Sequence, residues 1–449
     1  MPTSGPAARG RRGPVAGAGA GEAWLLFAVA FVLRAAYTWF AMGPDATPFS
    51  DSASYHAVAV NLARGAGFAL NGATGPYPTA FVPPVLPFVT SLLYRVAGPN
   101  FFAALLLMCV FGALVPVTLA ELTRRSFGPG PARWAGWLAA FDPLLVFFSG
   151  YLLTETLFCF TLLVATFATT EWLKTPRGGR ALGAGVLWGV AALTRPTALP
   201  LPLLVAAWAW QPLGISTNGR ERARQLALLL LGVALCVGPW TLRNGAKLGA
   251  FVPVTTGGGR SLLDANNPIV WDDPAQRGGA TSVYGLSPYA ERFAGRTEVE
   301  VDRLSGAMAR EFLSERRAQW PRMALAKLGR FWRLSAEGGG TGAWSSDGSL
   351  VSRLRGLFDP LLAWSLLTWP LAAYGAWVSL RGPRARFLSL PLWFVLAFSL
   401  GTIVYWGSLR LRVPVQPLLA LYAAAGLDAI VTASRARRRG MTVIEGGRG

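Results

Sequence analysis

The sequence predicts an all-α protein, a polytopic bundle of about ten transmembrane helices with interfacial helices and a modest outward-facing segment. Hydrophobic residues make up 53% of the 449 residues, and charged residues only 14%. Runs of roughly 20 apolar residues recur, which is the length that crosses about 30 Å of hydrocarbon. The formal net charge is +20, but the arginines lie in short connections between these runs rather than in one basic domain. This distribution indicates membrane lipids as partners and argues against nucleic acid.

The apolar runs define the predicted spans, and the connections between them set the orientation. The runs cover residues 24–42, 101–123, 132–150, 153–173, 181–194, 196–210, 225–242, 359–380, 387–406 and 413–432. The connections 124–131, 174–180, 211–224 and 381–386 all carry Lys or Arg, and all fall on one side. Positive charge marks the cytoplasmic side, so we expect a multi-pass membrane protein with both termini in the cytoplasm.

This topology divides the chain into five regions. Residues 1–22 are rich in Gly, Ala, Pro and Arg and predict a disordered basic tail. The other four are a transmembrane region at 23–242 with an outward loop at 43–100, an outward-facing segment at 243–358, transmembrane helices at 359–433, and a basic cytoplasmic tail at 434–449.

Two stretches are ambiguous. Residues 79–97 are apolar enough to form an eleventh span, but that span would turn every later basic connection outward. We therefore predict a Pro-rich helix packed at the outer interface. Residues 303–334 predict a basic amphipathic helix on the outer leaflet, or one more span with a basic flank, and the same charge rule disfavours the span.

The sequence offers little for a metal or a disulfide. Cys109, Cys159 and Cys236 all lie inside apolar runs without paired spacing, which indicates core packing. The sole histidine, His56, cannot build a His-based metal site, and we expect it to form a hydrogen bond within the outer loop. No Asp-x-Asp pair is present. We expect no cofactor; a divalent metal held by carboxylates alone is left open but not favoured.

Asp51 lies just outside the first predicted span. It precedes a short helix, from about Ser52 to Arg64, whose apolar residues Tyr55, Val58, Ala59 and Leu62 recur with helical spacing. Asp51 suits the N-cap of that helix. It is equally placed to act as a base at the lipid–water boundary, and the two roles are compatible.

Charged residues near or inside apolar runs indicate positions that face the interior of the bundle, because burying a charge in lipid costs at least ~2.5 kcal/mol. Arg34 is expected either to form an internal ion pair with Asp142 or Glu155 or to contact a substrate. Four arginines instead lie near the outer boundary, against the inward bias of the rest: Arg195, Arg243, Arg410 and Arg412. Guanidinium groups suit phosphate recognition, although interfacial arginines also bind lipid head groups.

Several motifs occur together in a characteristic order. They are FSDSASYHAVAVNLARGAGF, PTAFVPPVLPFVTSLLYRVAG, GYLLTETLF, LTRPTAL, PWTLRN, GGGRSLLDANNP and GSLRLRVPVQPLL. In these motifs, from about residue 24 to 433, the chain resembles the bacterial branch of the GT-C membrane glycosyltransferases. The relatives are the protein O-mannosyltransferase and lipid A aminoarabinose transferase group. Within FVPPVLPF the chain departs from the pattern, because Val82 and Leu86 supply neither charge nor ring.

The resemblance implies a transferase of the bacterial inner membrane whose active site faces outward. Its donor would be a polyprenyl-phosphate sugar, and its acceptor a glycan, lipid or protein. By the same resemblance Asp51 would be the catalytic base of an inverting displacement, with Asp45 as a second candidate. The four outer arginines would stabilise the departing phosphate. The predicted substrate cavity is completed by Tyr55, His56, Glu155 and Asn244.

Two other functions stay open at this point. A flippase for lipid-linked sugars, or another transporter, would also need buried charges and basic grooves, but it should show inverted repeats. No such repeat is visible. A non-enzymatic scaffold would need neither Asp51 nor the outer arginines.

Overall fold

The architecture is taken from a computed structural model, which describes residues 20–210, 218–334, 359–382 and 385–445. Most of the predicted N-terminal tail lies outside the described residues. So do part of the connection 211–224, the Gly/Ser-rich stretch 335–358 and the last four residues of the C-terminal tail.

The described chain is helical apart from one β-hairpin, and the predicted fold class is confirmed. The N-terminal half contains α1 Ala20–Met42, α2 Ser50–Ala63, α3 Val85–Ala97, α4 Phe101–Phe127, α5 Pro129–Phe141, α6 Pro143–Ser149, α7 Thr154–Lys174, α8 Gly178–Thr194, α9 Leu201–Trp210 and α10 Gly219–Leu248. The remainder contains α11 Gly258–Ala265, α12 Pro268–Asp272, α13 Tyr289–Phe293, α14 Glu298–Glu315, α15 Trp320–Phe331, α16 Pro360–Arg381, α17 Ala385–Val404, α18 Leu409–Arg412 and α19 Gln416–Glu445. The hairpin pairs β1 Ala69–Gly72 with β2 Gly75–Pro78 in antiparallel register.

Six helices among the described residues are long and apolar enough to cross a membrane. They are α1, α4, α7, α10, α16 and the continuous run Leu409–Arg437, which joins α18 to α19. Shorter apolar helices occupy Val85–Ala97, Pro196–Trp210 and Leu388–Val404. The multi-pass character follows from these helices, whereas the count of ten spans and the orientation remain predictions.

The predicted span 132–150 is not one helix. It breaks at Asp142, where α5 ends and α6 begins. The Asp142 carboxylate accepts hydrogen bonds from the N–H groups of Leu144 and Leu145, and Pro143 occupies the first helical position, where a missing N–H does no harm. An N-cap followed by proline starts a new helix here.

The interfacial helix predicted at 79–97 begins later, at Val85. Its 13 residues give a length of about 20 Å, too short for a hydrocarbon core of about 30 Å. The preceding stretch is irregular because it is fixed to the outer segment. The Thr79 hydroxyl and the Ala80 N–H both donate to the carboxylate of Glu298, over 2.6 and 2.8 Å.

The single amphipathic helix predicted over 303–334 is wrong in two respects. The helix begins earlier, because Thr297 and Glu300 form a capping box at the start of α14. It is then interrupted by a 3₁₀ turn over Arg317–Gln319 before α15 starts. Lys327 of α15 is buried and donates to Asn266 Oδ1 over 3.0 Å. Helix α15 packs against α17, so this face is covered by protein.

Glycines allow close approach of the helices in the bundle. A Cβ at Gly185 of α8 would lie 1.9 Å from the carbonyl oxygen of Leu229, and a Cβ at Gly232 of α10 would lie 2.3 Å from that of Leu182. Gly375 and Gly426 form the corresponding contact between α16 and α19. Small residues at crossings are the usual means of packing helices in membranes, where backbones must come close to gain dispersion energy.

Gly185→Ala is expected to destabilise the protein by roughly 1–3 kcal/mol, because α8 and α10 must move apart to admit the methyl group. Gly183→Ala on the same helix is the matched control, since a Cβ there meets nothing within 4 Å. Denaturation of the detergent-purified variants measures both. Equal stability of the two variants would contradict the packing described here.

Candidate active site

Asp51 does not cap the helix that it was predicted to cap. Helix α2 starts at Ser50, the N-cap position belongs to Phe49, and no side chain caps this end. Asp51 instead lies inside the first turn, where a carboxylate is favoured by the helix dipole. The predicted apolar face is confirmed, since Tyr55, Val58, Ala59 and Leu62 are all buried. The Asp51 side chain turns toward the C-terminal part of the chain.

Four charged side chains meet at this place in an alternating ion-pair chain. Asp51 Oδ2 accepts from Arg410 Nη1 over 2.5 Å. Arg410 Nε also donates to Glu155 Oε1, and the same oxygen accepts from Arg195 Nη1 over 2.7 Å. We call Asp51, Arg410, Glu155 and Arg195 the charge cluster. Two carboxylates and two guanidinium groups make it formally neutral.

Helix ends bring the cluster together. Asp51 and Glu155 lie in the first turns of α2 and α7. Arg195 follows the last residue of α8 and precedes Pro196, in the extended conformation that a following proline favours. Arg410 lies in the short helix α18, which Ser408 caps. Residues 359 positions apart in the chain are thereby joined.

Exposure within the cluster increases from Glu155 to Asp51. The Glu155 side chain is 0% exposed, Arg195 12%, Arg410 28% and Asp51 48%. Glu155 Oε2 is buried without a hydrogen-bond partner among the described residues. The cluster is therefore anchored in the bundle by Glu155 and opens at Asp51, which can meet a substrate.

Tyr55 and His56 follow Asp51 in α2. Tyr55 follows Asp51 by one helical turn, and burial together with the negative charge of Asp51 raises its pKa. His56 Nδ1 forms a 2.8 Å hydrogen bond with the Tyr94 hydroxyl, which confirms the expected bond within the outer loop. Burial lowers the pKa of His56.

The other predicted site residues are not part of the cluster. Arg243 donates to the carbonyls of Thr79 and Phe68 over 2.6 and 2.7 Å, and Asn244 donates to that of Val252 over 3.0 Å. Arg243 fastens the loop 43–100 to the end of α10, and Asn244 fastens the segment that follows α10. Asp45 is exposed in the turn after α1.

Arg412 points away from Arg410, although only one residue separates them. It is fully buried and donates to the carbonyls of Phe331 and Arg333. These contacts fasten α18 to the end of α15. Of the four arginines predicted to bind phosphate, the structure brings Arg195 and Arg410 together and assigns packing contacts to Arg243 and Arg412.

Arg34 forms neither of the ion pairs considered for it. Its guanidinium donates to the carbonyls of Ala30, Ala139 and Ala140, within 3.2 Å. The broken end of α5 supplies two of these acceptors. Asp142, besides capping α6, accepts from the indole N–H of Trp364 over 3.0 Å. Both side chains are therefore held by local polar groups, although Arg34 Nε is buried without a hydrogen-bond partner among the described residues.

One acidic residue near the cluster received no role from the sequence. Asp264 ends the motif GGGRSLLD, which supported the family resemblance, and its Oδ1 is buried without a hydrogen-bond partner among the described residues. Burial raises its pKa to about 7, and the negative charge of Asp51 contributes in the same direction. The sequence signal that could have identified Asp264 as a site residue was its carboxyl group within that motif.

No group of three His, Cys, Asp or Glu side chains within the described ranges could hold a metal ion. The cluster carboxylates are already paired with arginines. A metal-independent reaction remains a prediction.

Comparisons with known proteins agree with this architecture. Residues 82–241 match the family described as dolichyl-phosphate-mannose-protein mannosyltransferase, and no curated protein matches the chain. The oligosaccharyltransferase AglB from Archaeoglobus fulgidus, solved with an inhibitory peptide and a dolichol-phosphate, superposes with a TM-score of 0.55 at 15% identity over 94% of this chain and 52% of its own. Its complex with Zn and sulfate gives 0.57 at 15% identity, over 94% and 51%.

A third similar structure is ArnT from Cupriavidus metallidurans bound to undecaprenyl phosphate. It gives a TM-score of 0.44 at 15% identity, over 92% of this chain and 78% of its own. The chain spans about half the length of the oligosaccharyltransferase. The family match over residues 82–241 and the fold match to the oligosaccharyltransferase agree with the resemblance to the GT-C membrane glycosyltransferases.

Glu155→Gln is expected to lower the free energy of unfolding by about 3–5 kcal/mol, because it leaves two arginines facing a neutral amide in a buried site. Glu171→Gln is the matched control on α7. Glu171 pairs with Arg125 and Lys174 at the partly exposed end of the helix, where loss of an ion pair costs at most about 1 kcal/mol. Denaturant titration in detergent compares them, and similar losses would contradict the anchoring role of Glu155.

Asp264→Asn is expected to make the melting temperature less dependent on pH. The folded protein keeps a proton on Asp264 up to about pH 7, whereas the unfolded chain releases it near the ordinary pKa of about 3.9. Unfolding therefore becomes easier as the pH rises through this window. The melting temperature of the variant should rise relative to that of the parent between about pH 4 and pH 7, with no further change above that range. A constant difference would contradict the buried carboxyl.

Proposed function

We propose that the protein is a glycosyltransferase that moves a sugar from a polyprenyl-phosphate donor to an acceptor at the outer face of a bacterial plasma membrane. One observation carries the proposal. A partly exposed carboxylate, Asp51, is held by an arginine that a fully buried glutamate fixes in place. This arrangement offers a base and a cation at the same point.

The donor phosphate is assigned to Arg410 and Arg195. Arg410 uses Nε for Glu155 and Nη1 for Asp51, which leaves Nη2 for a phosphate oxygen. Arg195 uses Nη1 in the cluster. Guanidinium groups bind phosphate through charge-assisted hydrogen bonds, and burial of Glu155 keeps both groups oriented before the donor arrives.

Donor binding would also prepare the base. The cluster by itself is neutral, so an incoming phosphate competes with Asp51 for Arg410. When Arg410 turns toward the phosphate, the Asp51 carboxylate is released from its ion pair and is free to accept a proton from the acceptor hydroxyl. The donor would then bind before the acceptor in a productive cycle.

The reaction is a single displacement at the anomeric carbon. Asp51 takes the proton of the acceptor hydroxyl while the oxygen forms a bond to the anomeric carbon. The bond from that carbon to the phosphate oxygen breaks, and its electron pair leaves with the polyprenyl phosphate. Arg410 and Arg195 stabilise the negative charge that develops there. One displacement inverts the anomeric configuration.

Asp51→Asn is expected to reduce transfer by at least about 10²-fold, because the amide cannot accept the proton. Binding of the donor should persist, since both arginines remain. Asp45→Asn removes a nearby exposed carboxyl of the same loop and should keep full activity. Purified protein with a radiolabelled polyprenyl-phosphate sugar and cell-envelope acceptors provides the assay. Retained transfer by Asp51→Asn would exclude Asp51 as the base, whereas flipping of the donor without any transfer would favour the transporter alternative.

A further inference from the structure

A cavity of about 430 Å³ opens in the outward-facing segment, apart from the charge cluster. Its lining includes Tyr77 of β2, Lys247 at the end of α10, Arg260 of α11, and Arg296 and Glu298 at the start of α14. This volume lies within the range of small-molecule sites, about 300–1,000 Å³. It exceeds the need of one phosphate or carboxylate and would hold a sugar ring that carries one.

The charges that line this cavity are unbalanced. Lys247, Arg260 and Arg296 supply three cations, and Glu298 supplies the one carboxylate among the lining residues. Glu298 is engaged elsewhere, because Thr79 and Ala80 donate to its two oxygens over 2.6 and 2.8 Å. Lys247 and Arg296 form no ion pair with the described residues. The cavity therefore favours an anion.

The Arg260 guanidinium is fixed in position by aromatic rings, but it has no hydrogen-bond acceptor among the described residues. Its guanidinium lies 5.3 Å from the ring centre of Phe81 and 4.9 Å from that of Tyr284, contacts that fix its position. Its Nε is buried, and the described part of the chain gives it no hydrogen-bond partner. The positive charge of Arg260 favours the ionised forms of Asp264 and Asp302, but neither carboxylate lies within ion-pair distance of the guanidinium. Such a guanidinium suits a bidentate oxyanion.

Helix α11 connects this cavity to the charge cluster. Arg260 and Asp264 are four residues apart on α11, so their side chains share one face of the helix, about 5–6 Å apart at Cβ. The negative charge of Asp51 acts on the Asp264 carboxyl. A group bound at Arg260 would therefore lie about one helical turn beyond the acidic end of the site.

We propose that this cavity binds an oxyanion of the acceptor, a phosphate or carboxylate held at the Arg260 end of α11 while the acceptor hydroxyl lies at Asp51. This inference rests on the proposed function and deepens it by naming the acceptor as anionic. Arg260 forms the base of the subsite, Lys247 and Arg296 form its rim, and Tyr77 offers a ring face to the attached sugar.

The test measures binding rather than turnover. Inorganic phosphate is titrated against full-length Asp51→Asn protein in zwitterionic nanodiscs, and binding is followed by phosphorus NMR. We expect saturable binding that weakens at least about tenfold in the Lys247→Gln/Arg296→Gln variant, because two charge-assisted contacts are lost. Both residues are exposed, so the variant should fold. Arg303→Gln removes an exposed arginine of α14 outside the cavity and should bind phosphate as before. Unchanged binding in the double variant would overturn the proposal.

A second arm distinguishes an acceptor from a membrane lipid. The titration is repeated with phosphatidylglycerol in the nanodiscs. Retained phosphate binding supports an acceptor subsite, and displacement by the lipid overturns it in favour of a head-group site. Because the Asp51→Asn background lacks the proposed base, this result is independent of catalysis. Phosphate binding at the cavity in a parent protein that transfers no sugar would reject the proposed function alone.

Discussion

The sharing of Glu155 between Arg195 and Arg410 is the interaction on which the rest of the site depends. A carboxylate with 0% exposure is stable as an anion only if cations compensate it. The two that do so come from the end of α8 and from α18, which are distant in the chain. Their pairing fixes the outer ends of the bundle relative to one another, and it delivers Arg410 to Asp51. Without this buried anion, the two arginines would repel each other.

Because its net charge is zero, the charge cluster can rearrange when an anion binds to it. Within the cluster each arginine is compensated by a carboxylate and Asp51 is paired with Arg410. A bound phosphate would add negative charge. Arg410 is the group that can compensate this charge, because it contacts both carboxylates and can exchange one of them for the phosphate. Binding energy from the donor would thus be coupled to the state of the base through one guanidinium. The segment 243–334 adds a second region of positive charge around Arg260, where no carboxylate of the described residues completes an ion pair with that guanidinium.

The sequence predicted those features that depend on composition and local spacing. Apolar runs gave the helical bundle, and helical spacing gave the buried face of α2. The break between α5 and α6 was harder to predict. In the sequence, Asp142 and Pro143 look like a charge and a proline inside one apolar run, and only the structure shows that the carboxylate caps α6. Arg410 and Arg412 look equivalent in sequence, yet they are two positions apart within one helical turn and so project from nearly opposite sides of the helix. One reaches Glu155 and the other reaches backbone carbonyls. Asp264 was missed because its importance comes from burial and from its distance to Asp51, which only the tertiary fold determines.

The most direct measurement is the affinity of the purified protein for a short-chain polyprenyl phosphate in the absence of any acceptor. Loss of one charge-assisted contact is worth about 1.5–3 kcal/mol, so Arg410→Gln should weaken binding by roughly 10- to 150-fold. Arg64→Gln, which removes an exposed arginine just after α2, should bind as the parent does. Equal affinity in the Arg410→Gln variant, or equal loss in both, would contradict the assignment of the charge cluster to the donor phosphate.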